Sequence, residues 1–201
     1  MWTGSLRLSV RVIGLVSTII LARLLVPADF GLVAMATSII AFLELATAFN
    51  FDIPLIQKQD ADRSYFDSAW TLNLLFYAGL TLLLVLMAAP AAAFYSEPRL
   101  VNVIHVLAIG FLVRGFENIG MVYYRKELNF QKDFILLVSK KIVGFSITIP
   151  LALLLKSYWA LIAGMTISTI FRVAFSYYLH PFRPRLSFKA TGELLRFSRW
   201  L

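Results

Sequence analysis

The sequence contains no cysteine and only two histidines, His105 and His180. It therefore has no disulfide, no thiolate metal site and no cysteine nucleophile, and two histidines are too few for a metal site built from imidazoles. Charged residues are also scarce, at 15% of the chain against about 25% in soluble domains. These shortages exclude a soluble enzyme, a disordered chain and an ordinary nucleic-acid-binding protein, and we expect no metal or cofactor.

Apolar residues are abundant instead and make up 60% of the 201 residues. Because a membrane helix needs roughly 20 apolar residues, this amount suffices for about six membrane spans and little else. The long apolar runs do not alternate as barrel strands do, so the sequence predicts an all-α polytopic membrane protein with six transmembrane helices. Their expected positions are about 6–26, Gly31–Phe51, Ala69–Tyr95, Leu100–Tyr123, Phe134–Leu155 and Tyr158–Leu179.

Basic residues are distributed unevenly between the two sides of this predicted membrane domain. With six spans, 14 Lys and Arg lie on the side of the termini, and only Arg23, Arg99 and Lys156 lie on the other side. Because Lys and Arg are enriched in cytoplasmic loops, both termini are predicted to be cytoplasmic. The net charge of +8 is then explained by these loops and by anionic membrane lipid, without nucleic acid.

The sequence divides into a membrane domain, residues 1–179, and a basic cytoplasmic tail, residues 180–201. In the tail, Leu194, Phe197 and Leu201 fall on one helical face, and basic residues fall on another. This pattern is typical of an interfacial helix on anionic lipid, and equally of the start of a further transmembrane helix.

Four ionisable residues lie inside the predicted spans, namely Glu44, Arg114, Glu117 and Arg172. Glu44 and Arg114 are expected near the middle of their spans, and Arg114, Glu117 and Asn118 share one helix face. In a functional interpretation, Arg114 and Arg172 bind an anionic substrate, and Glu44 or Glu117 carries a coupling proton or cation. In a structural one, Arg114 is neutralised by Glu44 or by Glu117 and holds helices together.

Other charged patterns carry weaker predictions. Lys140 and Lys141 lie near the start of the fifth predicted helix, from which long side chains can reach the membrane interface. Asp60 and Asp62 have the spacing that glycosyltransferases use to hold a divalent metal, but no nucleotide-binding domain surrounds them. The sequence contains no phosphate-binding loop, dinucleotide fingerprint, zinc-protease motif or nucleophile elbow, so it does not predict an enzyme.

The segment from Leu21 to Ala34 resembles the first helix-turn-helix of polysaccharide exporters, the Wzx-type lipid-linked oligosaccharide flippases of the MOP superfamily. In this turn, Pro27 is expected to stop the first helix, Asp29 to cap the second and Gly31 to permit close packing. The residues of this motif are Arg23, Pro27, Asp29, Phe30 and Gly31. Further matches follow in order at Ile53–Gln57, Tyr124–Phe130 and Tyr158–Gly164.

The resemblance implies a MATE-like transporter with two lobes and alternating access. The implied function is export, by flipping, of a polyprenyl-diphosphate-linked oligosaccharide or polysaccharide across the bacterial cytoplasmic (inner) membrane. Such export serves the synthesis of lipopolysaccharide, O-antigen or exopolysaccharide. Arg114 and Arg172 would be cationic cavity residues by their position, and a proton or sodium gradient would drive transport.

The length departs from this family, because the chain resembles only the N-terminal lobe and its tail resembles the lead-in to a second lobe. We expect a fragment, a truncated gene product or a half-transporter that pairs with a second lobe or with polysaccharide assembly proteins. Two other functions stay open. One is a non-transporting membrane scaffold in a polysaccharide assembly complex, and the other is a MATE-like exporter of small molecules.

Overall fold

The structure, a computed structural model, describes residues 14, 17–46, 52–58, 61–127 and 129–198. Within these residues every regular element is a helix and none is a strand, so the predicted all-α class is confirmed for this part of the chain. The helices are α1 (17–24), α2 (Pro27–Ala46), α3 (Asp52–Gln57), α4 (Arg63–Phe94), α5 (Arg99–Arg114), α6 (Met121–Lys126), α7 (Phe130–Leu155), α8 (Trp159–Leu179) and α9 (Thr191–Ser198).

In the described part of the chain, four helices contain a segment that is long and apolar enough to cross a membrane. They are α2, α4, α7 and α8. They correspond to the second, third, fifth and sixth predicted spans. Much of the first predicted span, about 6–26, lies outside the described residues. α5 has 16 residues and is about 24 Å long, which is shorter than a hydrocarbon core of about 30 Å. The count of six spans therefore stays a prediction.

The fourth predicted span, Leu100–Tyr123, is wrong as a single helix. α5 ends at Arg114, and a turn leads into the short α6. A Cβ added at Gly115 would lie 2.9 Å from a side-chain carbon of α4. The turn therefore packs closer to α4 than a residue with a side chain at position 115 would allow. The Asn118 side-chain oxygen accepts a hydrogen bond from the Gly120 N–H at 2.9 Å, which fixes the turn. A hydropathy profile does not reveal this break, because apolar residues occur on both sides of it and within it.

α4 begins at Arg63, earlier than predicted, because Asp62 caps it. The Asp62 carboxylate accepts a hydrogen bond from the Tyr65 N–H at 3.0 Å. At 32 residues α4 is about 48 Å long, so it extends past a hydrocarbon core of about 30 Å. Its early residues, Tyr65–Thr71, are all buried by other parts of the protein.

Three apolar clusters hold the helices together. One joins α2, α4 and α5 around Leu84 and Ile104, and another joins α1, α7 and α8 around Ala152 and Ala160. The third joins α3, α6 and α9 to the first turns of α4 around Phe66. Large apolar side chains on the outer faces of α2, α4 and α7 are exposed, as expected for helices that face lipid.

We call the end of the bundle formed by α3, α6, α9 and the first turns of α4 the polar end. After α8, residues 180–188 run along this end without helix or strand, and α9 follows. Leu194 of α9 is fully buried in the third apolar cluster. For the other two residues of the predicted apolar face the prediction stays untested, because the side chain of Phe197 and all of Leu201 lie outside the described residues.

Candidate functional site

Arg114 and Glu44 form an ion pair between α5 and α2, in which Arg114 Nη1 donates to Glu44 Oε1. The Arg114 guanidinium also lies over the ring of Tyr77 in α4, 5.7 Å from the ring centroid. Arg114 is the last residue of α5 and does not lie in the middle of a continuous helix, because the predicted span breaks there. A cation at the C-terminus of a helix is favoured by the helix dipole, which lowers the cost of this position.

A second ion pair joins α8 to the turn between α5 and α6. Arg172 Nη2 donates to Glu117 Oε1 at 2.8 Å, and both side chains are about one-fifth exposed. The alternative partner predicted for Glu117 was Arg114, and the break after α5 instead turns Glu117 towards α8. Arg172 Nε is buried and makes no hydrogen bond among the described residues.

Both arginines line one cavity of about 150 Å³, which we call the arginine cavity. A third guanidinium, Arg125, also lines this cavity, and its Nε donates to Asp133 Oδ2 at 2.6 Å. Glu117 is part of the same wall, whereas Glu44 reaches the cavity only through its bond to Arg114. The structure therefore brings together all four of the intramembrane charges that the sequence singles out.

These charges form a layer across the bundle. Glu44, Arg114, Lys140 and Arg172 each lie about 20–25 Å along their helices from the end opposite the polar end. Lys140 interacts electrostatically with both arginines and with Glu44 and Glu117. Among the described residues of this layer, three cations therefore face two carboxylates.

The sequence analysis missed a polar patch at the start of α4, formed by Asp67, Ser68 and Thr71, all buried. This patch holds the segment after α8 through backbone N–H groups. The bonds are Arg185 N–H to Asp67 Oδ1 (2.9 Å), Ser187 N–H to Thr71 Oγ1 (3.0 Å) and Ala190 N–H to Ser68 Oγ (3.1 Å). The signal in the sequence is three polar residues around the start of the third apolar run, whose predicted first residue is Ala69.

Asn118 holds the beginning of the same segment. Its amide nitrogen donates to the carbonyl oxygens of His180 and Phe182 at 3.1 and 3.0 Å, and the residue is 1% exposed. The His180 ring stacks on Tyr123 with ring centroids 5.4 Å apart, and its Nδ1 accepts a hydrogen bond from the Phe182 N–H. Burial lowers the pKa of His180 below its usual value. Asn118 therefore makes a structural contact and also lines the arginine cavity.

The motif residues of the first turn have different positions from those expected. Pro27 is the first residue of α2, where its fixed φ favours helix initiation, and Asp29 lies inside the first turn of α2, not at its cap. Phe30 packs against the cluster of α1, α7 and α8, and Arg23 is exposed. At Gly31, no described atom beyond its own helix backbone lies within 4 Å of an added Cβ, so the described residues do not pack closely there.

The aspartate pair considered as a metal motif has a simpler role in its described half, because Asp62 is the N-cap of α4. Asp60 lies outside the described residues. Among the residues that the structure describes, no group of three His, Asp or Glu side chains is placed to hold a metal ion.

Lipid-length apolar helices, exposed apolar outer faces and a paired layer of interior charges define a multi-pass helical membrane protein. The family follows from comparison with known sequences. A family model described as polysaccharide biosynthesis protein matches residues 20–201, and the chain belongs to this family. The family resemblance expected from the sequence is thereby confirmed.

Two relatives illustrate the family. The chain is 25% identical over 181 residues to the succinoglycan biosynthesis transport protein ExoT of Rhizobium meliloti (strain 1021), covering 90% of this chain and 36% of that protein. It is 24% identical over 208 residues to the lipopolysaccharide biosynthesis protein WzxC of Escherichia coli (strain K12), covering 100% of this chain and 42% of that protein. The chain thus spans about two-fifths of these relatives. No solved structure is significantly similar to it.

Proposed function

We propose that the chain is one lobe of an exporter that flips a lipid-linked oligosaccharide or polysaccharide across the bacterial inner membrane. Membership of the polysaccharide biosynthesis family and similarity to a succinoglycan transport protein support a role in polysaccharide export. The uneven distribution of Lys and Arg supports an orientation with both termini in the cytoplasm, which places the polar end on that side.

The observation that carries this proposal is the arginine cavity, in which Arg114 and Arg172 meet inside an apolar bundle. A planar guanidinium binds two oxygens of a phosphate at once, so two of them suit the diphosphate of a polyprenyl carrier. In the resting state each arginine is paired with a carboxylate, which avoids the cost of an unpaired charge in the membrane.

This pairing suggests how substrate binding is coupled to an ion. A diphosphate that binds the two guanidiniums draws Arg114 away from Glu44 and Arg172 away from Glu117. A carboxylate in an apolar environment then favours uptake of a proton or a cation. Binding of the anionic substrate and uptake of a positive charge would therefore occur together, and export would return the arginines to the carboxylates.

A complete transport path in this account needs a second lobe, because transporters of this kind hold their substrate between two repeats. The chain spans 36% and 42% of the two relatives, which supports assigning it to one lobe. The partner would be a second lobe, and polysaccharide assembly proteins are further candidates.

The test is the amount of surface polysaccharide made by the native host when Arg114 is replaced by alanine. Removing Arg114 alone also breaks its ion pair with Glu44, so the decisive variant is the double substitution Arg114→Ala with Glu44→Ala, which removes both members of the pair. We expect polysaccharide export to fall at least about tenfold in both, because charge-assisted bonds to the substrate are lost. Arg99→Ala is the control, since Arg99 pairs with Glu97 in an exposed turn.

The other functions predict different outcomes. A non-transporting scaffold tolerates loss of both charges, so normal export in the double variant would overturn our proposal in its favour. The neutral Arg114–Glu44 pair is the observation that supports this alternative. A MATE-like exporter of small molecules requires the acid and not the arginine, so loss of function in Glu44→Gln with normal function in Arg114→Ala would favour it.

A further inference from the structure

A second cavity, of about 420 Å³, lies between α7 and α8 and is also lined by Gly14 and Ser17 at the N-terminal side of the bundle. Arg172 lines both this cavity and the arginine cavity. We call the second cavity the lysine groove, because Lys140 and Lys141 of α7 line it together with Arg172.

The groove has a cationic end and a longer uncharged end. α7 and α8 run antiparallel, so Lys140 of α7 lies level with Arg172 of α8, and Thr148 lies level with Gly164. A Cβ at Gly164 would lie 1.8 Å from Thr148 Oγ1, so the two helices touch there. From Lys140 to Thr148 the groove follows α7 for about 12 Å.

Between these two ends the groove is mainly apolar. Phe145 of α7 and Met165 of α8 line this stretch. The floor of the groove is shallow because α7 and α8 approach each other closely at Gly144 and Ser168. A Cβ added to Gly144 would lie only 3.3 Å from the Ser168 Cβ. A ligand that fits this shape has a small charged head and a hydrocarbon chain.

The charges that line the groove determine the sign of the charge on the ligand's head group. Among the described residues, neither Lys140 nor Lys141 forms an ion pair or hydrogen bond through its ammonium group. Arg172 uses Nη2 for Glu117, and its buried Nε has no acceptor among the same residues. Among the described residues, Glu117 is the one carboxylate that forms an ion pair with any of these three cations, in a membrane-spanning region where unpaired charge is costly. An anion would remove that cost.

We infer that the lysine groove binds the phosphate group of a membrane lipid through Lys140, Lys141 and Arg172, with a hydrocarbon chain along Phe145 and Met165. The apolar length of the groove selects a lipid over free phosphate, because free phosphate gains nothing from it. This site goes beyond the proposed export function and does not depend on it, since it concerns a resident membrane lipid.

The test measures lipid retention by the purified chain with native mass spectrometry, after reconstitution in nanodiscs of phosphatidylcholine with phosphatidylglycerol. We expect the wild type to retain phosphatidylglycerol in preference to phosphatidylcholine. The double variant Lys140→Gln with Lys141→Gln should retain it about tenfold less, because two charge-assisted contacts are lost. The matched control is Lys132→Gln with Lys156→Gln, which removes the same charge near the two ends of α7 and should behave as wild type.

Two further variants keep the result interpretable if the lysine double variant fails to fold. Replacing both lysines by arginine retains the charge and should retain the lipid. Ser17→Phe fills the groove without changing charge and should reduce retention. Equal retention of the two lipids by the wild type, or unchanged retention in Lys140→Gln with Lys141→Gln, would overturn the inference. Displacement of phosphatidylglycerol by millimolar inorganic phosphate would overturn the choice of a lipid.

Discussion

Arg172 takes part in both sites. It lines the arginine cavity and the lysine groove, and it forms an ion pair with Glu117. Its guanidinium has five donors in a fixed fork, so it can hold a carboxylate on one edge and face another anion with its remaining donors. An occupant of the lysine groove would therefore bind the remaining donors of Arg172 while Glu117 keeps its own bond. A lysine at this position would provide one point charge and would lose that geometry.

His180 provides a prediction about pH. Burial lowers the pKa of His180, so between the folded pKa and the ordinary value of 6.5 the unfolded chain binds a proton that the folded chain does not. Stability should therefore rise as the pH increases through this window and be lost as the pH falls below 6.5. Arg183 opposes protonation of the ring and Glu127 favours it, with Arg183 the stronger influence.

The measurement is the thermal unfolding midpoint of the purified protein between pH 5 and 8. In His180→Phe, which keeps a ring against Tyr123 but cannot titrate, we expect a flatter dependence in this range. His105→Phe is the matched control, because His105 is the other histidine and is exposed on α5. An identical pH dependence in His180→Phe and wild type would show that His180 is not the group responsible.

Among the elements, α4 and the segment 180–190 are joined by hydrogen bonds at the polar end. The patch of Asp67, Ser68 and Thr71 accepts three backbone hydrogen bonds, and Asn118 supplies two more from the turn before α6. A segment held at five points moves with the bundle. We expect any hinge towards a further domain to lie after this segment, not directly after α8.

The substitution Thr71→Val tests this contact. It keeps the shape of the side chain but leaves the Ser187 N–H without its acceptor at 3.0 Å, at a cost of about 1 kcal/mol. A change of this size raises the released fraction of the segment about fivefold, so trypsin should cut after Arg185 and Lys189 about five times faster. Thr81→Val is the control, because the Thr81 hydroxyl bonds only the Tyr77 carbonyl oxygen within α4. Equal cleavage rates in the two variants would contradict the account.

The helices differ in how far their sequences predict them. α7 and α8 agree closely with the predicted spans, because long uninterrupted apolar runs have only one inexpensive conformation in a membrane. The break after Arg114 could not be predicted in this way, since it depends on a close approach of Gly115 to α4. That break also decides the ion pairs. A continuous helix would place Glu117 beside Arg114, whereas the observed turn places it against Arg172.

For the whole molecule, the sequence predicts the class and the interior charges, and the structure supplies their pairing and the cavities. Composition fixes the class because no soluble core can bury so much apolar surface. It cannot place Lys140 beside Arg172, which requires the register of α7 against α8. Nor can it reveal the patch on α4, because backbone donors from residues more than 100 positions away complete it.

The measurement that tests the central proposal most directly is the leaflet distribution of the lipid-linked saccharide in the inner membrane of the native host. In Arg114→Ala with Glu44→Ala, we expect the total amount of this lipid to be maintained, with its outer-leaflet fraction reduced at least about tenfold relative to Arg99→Ala. Such a result separates a failure of flipping from a failure of synthesis. An unchanged distribution between the leaflets in this variant would contradict the assignment of Arg114 to the transport path.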